Sequence, residues 1–415
     1  MIYIHVPFCR SFCTYCDFYS EIACKGRDEA AIDAWADGVC AEIEARRGEI
    51  DQTLDLNTLY IGGGTPSVLP LSVLQRILST LAGVQFAPLP PRTSSLKKLP
   101  QTAHPDQPAP STATCHSEQS EGIHRYSEFT IEVNPEDIVE RGEEYVRGLL
   151  DLGVTRISMG VQSLDDGILR WMNRRHSADS ARQSFGIIRA AAHGEISSQD
   201  LRHPRQATPK IERFSGAPES NAHGGAERSG AVSEEILPCA DISIDLITGV
   251  PGMTMEILER TVEEVIDWRP EHISAYQLSI EEGSALARMI ENGEVRELGE
   301  DECREQYDYM CRRLAEAGYH HYEISNWALP GHEAIHNSAY WTRHPYVGLG
   351  PGAHSLIGNR RSWNSQELSG WMPEGEDLTE EQIHEEEVML LSRTDKGPIP
   401  ERDWFIADDI IPDLL

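Results

Sequence analysis

The sequence has no run approaching the roughly eighteen apolar residues that a membrane span needs, so no transmembrane helix is expected. Its start, MIYIHVPFC, lacks the basic stretch and apolar core of a secretory signal, which points to a soluble, cytoplasmic protein. Positive charge is scarce. Lys and Arg total 36 against 68 Asp and Glu, a formal charge of -32, with no basic patch dense enough to hold a phosphate backbone. Nucleic acid is therefore a poor partner. A cytoplasmic compartment keeps thiols reduced, so a disulfide framework is not expected either, and nine cysteines call for another reading.

Three of them stand together. HVPFCRSFCTYCDFYS, residues 5 to 20, sets Cys9, Cys13 and Cys16 in the spacing C-x3-C-x2-C, directly after an apolar strand-like run. Thiolates at this spacing fit a compact loop around an iron–sulfur cluster. Three ligands to a four-iron cluster leave one iron open to a substrate or cofactor. Two readings compete: a zinc site closed by Cys24 or His5, and cysteines that merely pack. The remaining six, Cys24, Cys40, Cys115, Cys239, Cys303 and Cys311, read as ordinary core or surface thiols.

At 415 residues, 40% hydrophobic and 25% charged, the chain suits one large domain with an appendage. Six short β-branched runs recur: IYIHV (2 to 6), TLYIG (58 to 62), FTIEV (129 to 133), RISMGV (156 to 161), ISIDLI (242 to 247) and HISAYQL (272 to 278). Each is followed by a helix-like stretch, such as residues 33 to 47, 71 to 81 and 255 to 268, with apolar residues three and four apart. Strands alternating with helices make βαβ units, so the fold class expected is α/β, a partial (β/α)6 barrel over residues 1 to 290. Two segments break the rhythm. Residues 88 to 127 are Pro-rich and residues 196 to 233 polar and Gly/Arg-rich, and both read as disordered insertions between a helix and the next strand. Loops of that kind lie on the face opposite a barrel's active site. Residues 291 to 415 read as a small α-rich C-terminal region, with helices over 301 to 318 and 379 to 394 around a Gly- and aromatic-rich section.

Polar residues collect at the strand ends. GGGTP, Gly62 to Pro66, follows the second run; its glycines serve a turn, or a ligand approaching the backbone closely. Glu132 ends the third run, Gln162 the fourth, and Asp245 lies late in the fifth. Singly these are common strand-end residues, but together they ring one barrel mouth. Arg174, expected on the helix after strand four, is either a solvated arginine or a bidentate clamp for a carboxylate.

In order along the chain, Y-x-H-V-P-F-C-x3-C-x2-C-D-F, GGGTPS, IEVNPE, ISMGVQS, NRRHS, IDLITGVPG, ISAYQLSIEEGS, HNSAYW and GLGPGAHS resemble the radical S-adenosylmethionine proteins related to oxygen-independent coproporphyrinogen III oxidase, and among them the heme chaperone HemW branch. The resemblance implies a [4Fe-4S] cluster on Cys9, Cys13 and Cys16, its open iron chelated by S-adenosylmethionine. It places Tyr3, Phe18, Gly63, Gly64, Thr65, Glu132, Gln162, Arg174 and Asp245 at positions that bind this cofactor. In that superfamily the reduced cluster cleaves the cofactor to a 5′-deoxyadenosyl radical.

Two features bear on the branch. Oxidases of the family carry a further cysteine two residues after the third, where this chain has Phe18. The chaperone branch has an HNxxYW motif, present here as His336, Asn337, Tyr340 and Trp341, with His336 a candidate heme ligand or else a packing histidine. Two functions follow as expectations: a heme-handling protein with an electron donor and heme-accepting membrane proteins as partners, or an oxidase that decarboxylates coproporphyrinogen III. Against the family the C-terminal region reads as shortened.

Overall fold

The computed structural model describes residues 1–16, 19–22, 28–82, 126–193, 239–281 and 284–415. Asp17, Phe18, Cys24, Cys115 and both expected insertions lie outside the described residues, apart from Tyr126, which is buried in the core, and Ser127.

Six parallel strands form the centre: β1 (Ile2–Val6), β2 (Thr58–Gly63), β3 (Glu128–Val133), β4 (Arg156–Gln162), β5 (Asp241–Thr248) and β6 (His272–Gln277), adjacent in that order. They coincide with the six expected runs to within a residue at each end. One side chain in two is apolar and fully buried, as with Ile2, Ile4 and Val6, Leu59 and Ile61, Ile157, Met159 and Val161, or Ile242, Ile244 and Leu246. By the period-two rule these point away from the lumen, against helices α1 (Asp28–Ala45), α2 (Leu71–Ala82), α3 (Pro135–Asp151), α4 (Ala178–His193) and α5 (Met255–Trp268). The helices answer with matching stripes; α2 buries Val73, Leu74, Ile77 and Leu81.

The alternate side chains face inward and are polar: Tyr60, Thr130, Glu132, Arg156, Ser158, Ser243, Asp245, His272 and Ser274 line one lumen. A barrel interior filled by branched aliphatics would be a packed core. This one is a chamber.

The C-terminal region completes the sheet at both edges. After helix α6 (Glu300–Glu316) come strands β7 (His320–Glu323) and β8 (Asn326–Ala328); β8 adds antiparallel to β6 and β7 antiparallel to β8, while β9 (Val347–Leu349) adds parallel to β1, giving the order β9-β1-β2-β3-β4-β5-β6-β8-β7. The short helix α7 (Ile335–Tyr340) lies between β8 and β9 in the chain. A separate antiparallel sheet, β10 (His354–Ile357), β11 (Arg360–Asn364) and β12 (Pro373–Asp377), precedes helix α8 (Glu380–Leu391). The two expected helices are present, joined by six strands that the sequence did not announce. Among the described residues no helix is long and apolar enough to cross a membrane.

Candidate functional site

The lumen opens at the C-terminal ends of β1 to β6 into a cavity of about 480 Å³, within the usual range for small-molecule sites. Cys9, Cys13, Cys16, Gly63, Gly64, Thr65, Glu132, Gln162, Arg174 and Asp245 all line it. Of the other expected site residues, Phe18 is outside the described residues, and Tyr3 and His336 lie off the cavity wall.

Cys9 ends a two-residue strand, Phe8–Cys9, and the glycine edge holds this stretch. Gly64 N donates to Val6 O and Thr65 N to Phe8 O, each at 2.7 Å, so the glycine run continues the β1–β2 pairing toward the cysteines. A Cβ on Gly64 would stand 2.7 Å from Phe8 O, which excludes any other residue there. The N–H groups of this edge are therefore engaged by the protein, Gly63 N going to Glu132 Oε2 at 3.1 Å. Thr65 Oγ1 lies 3.3 Å from Cys9 Sγ.

The rest of the cysteine loop is tied down by the segment after β4. The short helix Asp166–Trp171 ends in a Schellman motif: Asn173 takes the left-handed conformation (φ 58), Arg174 N donates to Leu169 O at 2.9 Å and Asn173 N to Arg170 O at 3.1 Å. Arg174 thus stands beyond the helix and not on it, a correction that follows from the cap. From there Asn173 Nδ2 donates to Phe12 O at 2.7 Å, Thr14 N to Met172 O at 3.1 Å and Thr14 Oγ1 to Trp171 O at 2.9 Å. Arg174 Nη1 lies 3.5 Å from Cys13 Sγ and Nη2 donates to Gly160 O at 2.7 Å. Burial opposes its charge, but the neighbouring Tyr15 and Cys13 outweigh that and hold it above the usual arginine value. The next residues of NRRHS anchor the motif: Arg175 pairs with buried Asp137 at 3.0 Å, His176 Nε2 meets Val161 O at 3.0 Å, and Ser177 Oγ accepts from Ser180 N at the start of α4.

The acids sit deeper. Glu132 accepts from Tyr60 Oη at 2.7 Å, and Asp245 from Ser158 Oγ at 2.9 and 3.1 Å. Burial pushes Glu132 up to about 7 and Asp245 up to about 6, against the pull of those hydroxyl donors. Gln162 takes φ 65 where the β4–β5 register shifts, a strained backbone of the kind found at ligand sites. Tyr3 supports this wall from behind: its hydroxyl meets His5 Nδ1 at 2.9 Å, and the His5 ring packs against Gly63.

His336 lies at the other end of the lumen. Its Nδ1 meets Thr58 Oγ1 at 2.8 Å and its Nε2 meets Tyr340 Oη at 3.1 Å, and burial pushes it down to about 3, so it is a neutral imidazole with both nitrogens engaged. That is the packing alternative; iron ligation from this position would first break one of these bonds. Of the HNxxYW motif only Asn337 reaches the cavity wall.

The donor set fits a cluster better than a single ion. The three cysteines are in no disulfide among the described residues and line one cavity, yet among those residues no three His, Cys, Asp or Glu side chains converge to hold one metal ion. Cluster thiolates each bind a different iron and need not converge, whereas zinc draws four ligands to one point. His5, a proposed fourth zinc ligand, has its Nε2 on Tyr19 O at 2.9 Å. A hydroxyl and a guanidinium already stand beside two of the sulfurs, as negatively charged thiolate centres require.

Sequence reasoning had passed over Tyr60, Ser158, Asn173 and Arg175. The first two were within reach, because they occupy the inward phase of the same period-two alternation that carries Glu132 and Asp245.

Residues 3–196 match the Radical SAM superfamily. The chain is 29% identical over 394 residues to the heme chaperone HemW of Lactococcus lactis subsp. lactis, covering 95% of this chain and 79% of that one. It is 26% identical to the heme chaperone HemW of Bacillus subtilis, covering 100% of this chain and 89% of that one. Among solved structures, the coproporphyrinogen III oxidase HemN from Escherichia coli, a radical SAM enzyme, shares the fold with a TM-score of 0.62, at 18% identity over 94% of this chain and 74% of that one.

Proposed function

From the match of residues 3–196 to the radical SAM superfamily we propose that the chain is a heme-handling protein of the chaperone type, carrying a [4Fe-4S] cluster and S-adenosylmethionine at the barrel mouth. The observation that carries this reading is the gathering of Cys9, Cys13 and Cys16 with Glu132, Gln162, Arg174 and Asp245 on one cavity wall, in a chain similar over nearly its whole length to heme chaperones.

When bound, the cluster and S-adenosylmethionine supply one-electron chemistry. The protein's part is placement. Arg174 offers its charge beside the cluster sulfurs, where a carboxylate of the cofactor would approach. Glu132, Asp245 and Gln162 present acceptors and an amide to the polar edge of a ribose.

Heme would approach the mouth. Phe12 is 48% exposed and Tyr276 44% exposed, and both rings line the cavity rim, where a flat apolar macrocycle can cover them. This part of the proposal does not rest on His336. An electron donor and a membrane recipient of heme complete it.

The test is anaerobic. The cluster is reconstituted, heme is titrated by absorbance, and in parallel the protein is incubated with reductant, S-adenosylmethionine and coproporphyrinogen III. Saturable heme binding without protoporphyrinogen IX is expected. Product at enzymatic rates would overturn the chaperone reading in favour of an oxidase, and heme uptake that never saturates would overturn heme handling.

A further inference from the structure

We propose that Thr65 is a positioning residue for the cluster, donating its hydroxyl to Cys9 Sγ and thereby setting how readily the cluster is reduced. This rests on the cluster assignment above, and goes beyond it by giving Thr65 a role toward the metal centre instead of the organic cofactor.

Three observations converge on that hydroxyl. Thr65 occupies the N-cap of the 3₁₀ turn Pro66–Val68, where a threonine ordinarily turns its oxygen back onto the backbone N–H groups of the first turn. Here the side chain makes no such cap; Val68 N is met by the Thr65 carbonyl at 3.0 Å, and Oγ1 is directed to Cys9 Sγ at 3.3 Å. The backbone that carries it is held on both residues, because Thr65 N is bonded to Phe8 O, the residue before Cys9, and Gly64 N to Val6 O. Hydroxyl and sulfur are thus fixed to one another by main-chain pairing.

The second thiol is treated alike by a different element: Arg174 Nη1 stands 3.5 Å from Cys13 Sγ. A hydrogen bond to a ligating sulfur draws off negative charge. It therefore favours the reduced cluster, which carries one more electron, and raises the potential.

The test is a redox titration of the reconstituted protein followed by electron paramagnetic resonance, with no turnover involved. Thr65→Val keeps the shape and removes the donor, while Thr65→Ser keeps the donor. At a fixed solution potential the ratio of reduced to oxidised cluster should fall several-fold in the Val variant and stay near wild type in the Ser variant, with iron content unchanged in both. A Val variant fully loaded with iron and unmoved in potential would overturn the proposal. Loss of iron from Val and also from Thr65→Ala, with Ser intact, would overturn the claim on potential and leave the hydroxyl an assembly contact. If wild type itself takes up no cluster, the parent reading fails, and that result is seen before any variant is made.

Discussion

The two ends of the lumen are built from the same kinds of side chain and used differently. At the floor, Glu128 accepts from Ile335 N and His336 N, each at 2.9 Å, and pairs with Arg156 Nε at 3.3 Å, while Arg156 Nη2 reaches Asp241 at 3.1 Å. His336 closes on Thr58 and Tyr340, and His272 on Ser243 and Tyr322, both at 2.7 Å. Polar groups here bind helix α7 to the strand starts and largely satisfy one another. At the mouth, the three thiols, the raised acids and the strained Gln162 face open space. Buried polarity is costly at either end; the floor groups also border the cavity but are met mainly by protein partners, whereas the mouth groups present thiols and acids to space that a ligand can fill.

The comparison breaks most sharply at Glu128. Its replacement by Ala strips the N–H groups of α7 and leaves Arg156 short of a buried partner, a class of change that costs about 3–5 kcal/mol. A large fall in thermal midpoint is expected, with iron content per folded chain after reconstitution unchanged. A stable variant unable to hold a cluster would mean that the floor serves the site.

His336→Ala comes next. It removes a buried ring with two hydrogen bonds and should cost about 2–3 kcal/mol in urea unfolding. Heme titrated against the folded variant should bind as to wild type. Loss of heme binding at unchanged stability would return His336 to the role of ligand.

The mouth makes its own prediction. Glu132 has an ordinary value of 4.5 and is held at about 7 in the folded chain, so the folded state keeps a proton that the unfolded state releases. This group's contribution to stability is therefore greatest below pH 4.5, falls as pH rises to about 7, and is level above. Because the side chain also meets the cavity, the loss should be about 2 kcal/mol. Glu132→Gln should accordingly be more stable than wild type at pH 8 and match it near pH 4.5, leaving the smaller slope from Asp245 below pH 6. Equal pH dependence in the two proteins would show that Glu132 is not strained in the way its burial implies.

Much of this was legible before any coordinates. The six β-branched runs announced their strands because parallel strands bury one face under helices, and β1 to β6 fall where those runs fall. The cysteine spacing and the strand-end acids converged on one cavity because a β/α barrel sends every strand's C-terminal end to the same mouth. Other features were hidden for physical reasons. The six strands after α6 are three to five residues long and punctuated by Gly and aromatics, too short for a period to register. Arg174 was visible as a charge, but the helix end before it depends on an asparagine in a left-handed conformation, which neighbouring sequence does not signal. His336 carried a motif whose burial only the fold could supply.

Asn173 offers the finest cut between structure and site, because it does two things from one position. Its left-handed backbone ends the helix, and its amide holds Phe12 O in the cysteine loop. Asn173→Gly keeps the cap, since glycine adopts that conformation freely, and loses only the clamp; Asn173→Ala loses both. Stability should fall by about 1 kcal/mol in the Ala variant and by less in Gly. Release of cluster iron to a chelator should quicken in both to a similar extent, because the clamp is missing from both. If iron release instead tracked stability, faster in Ala and unchanged in Gly, the helix end would act on the cluster through the fold alone and the amide contact would be incidental.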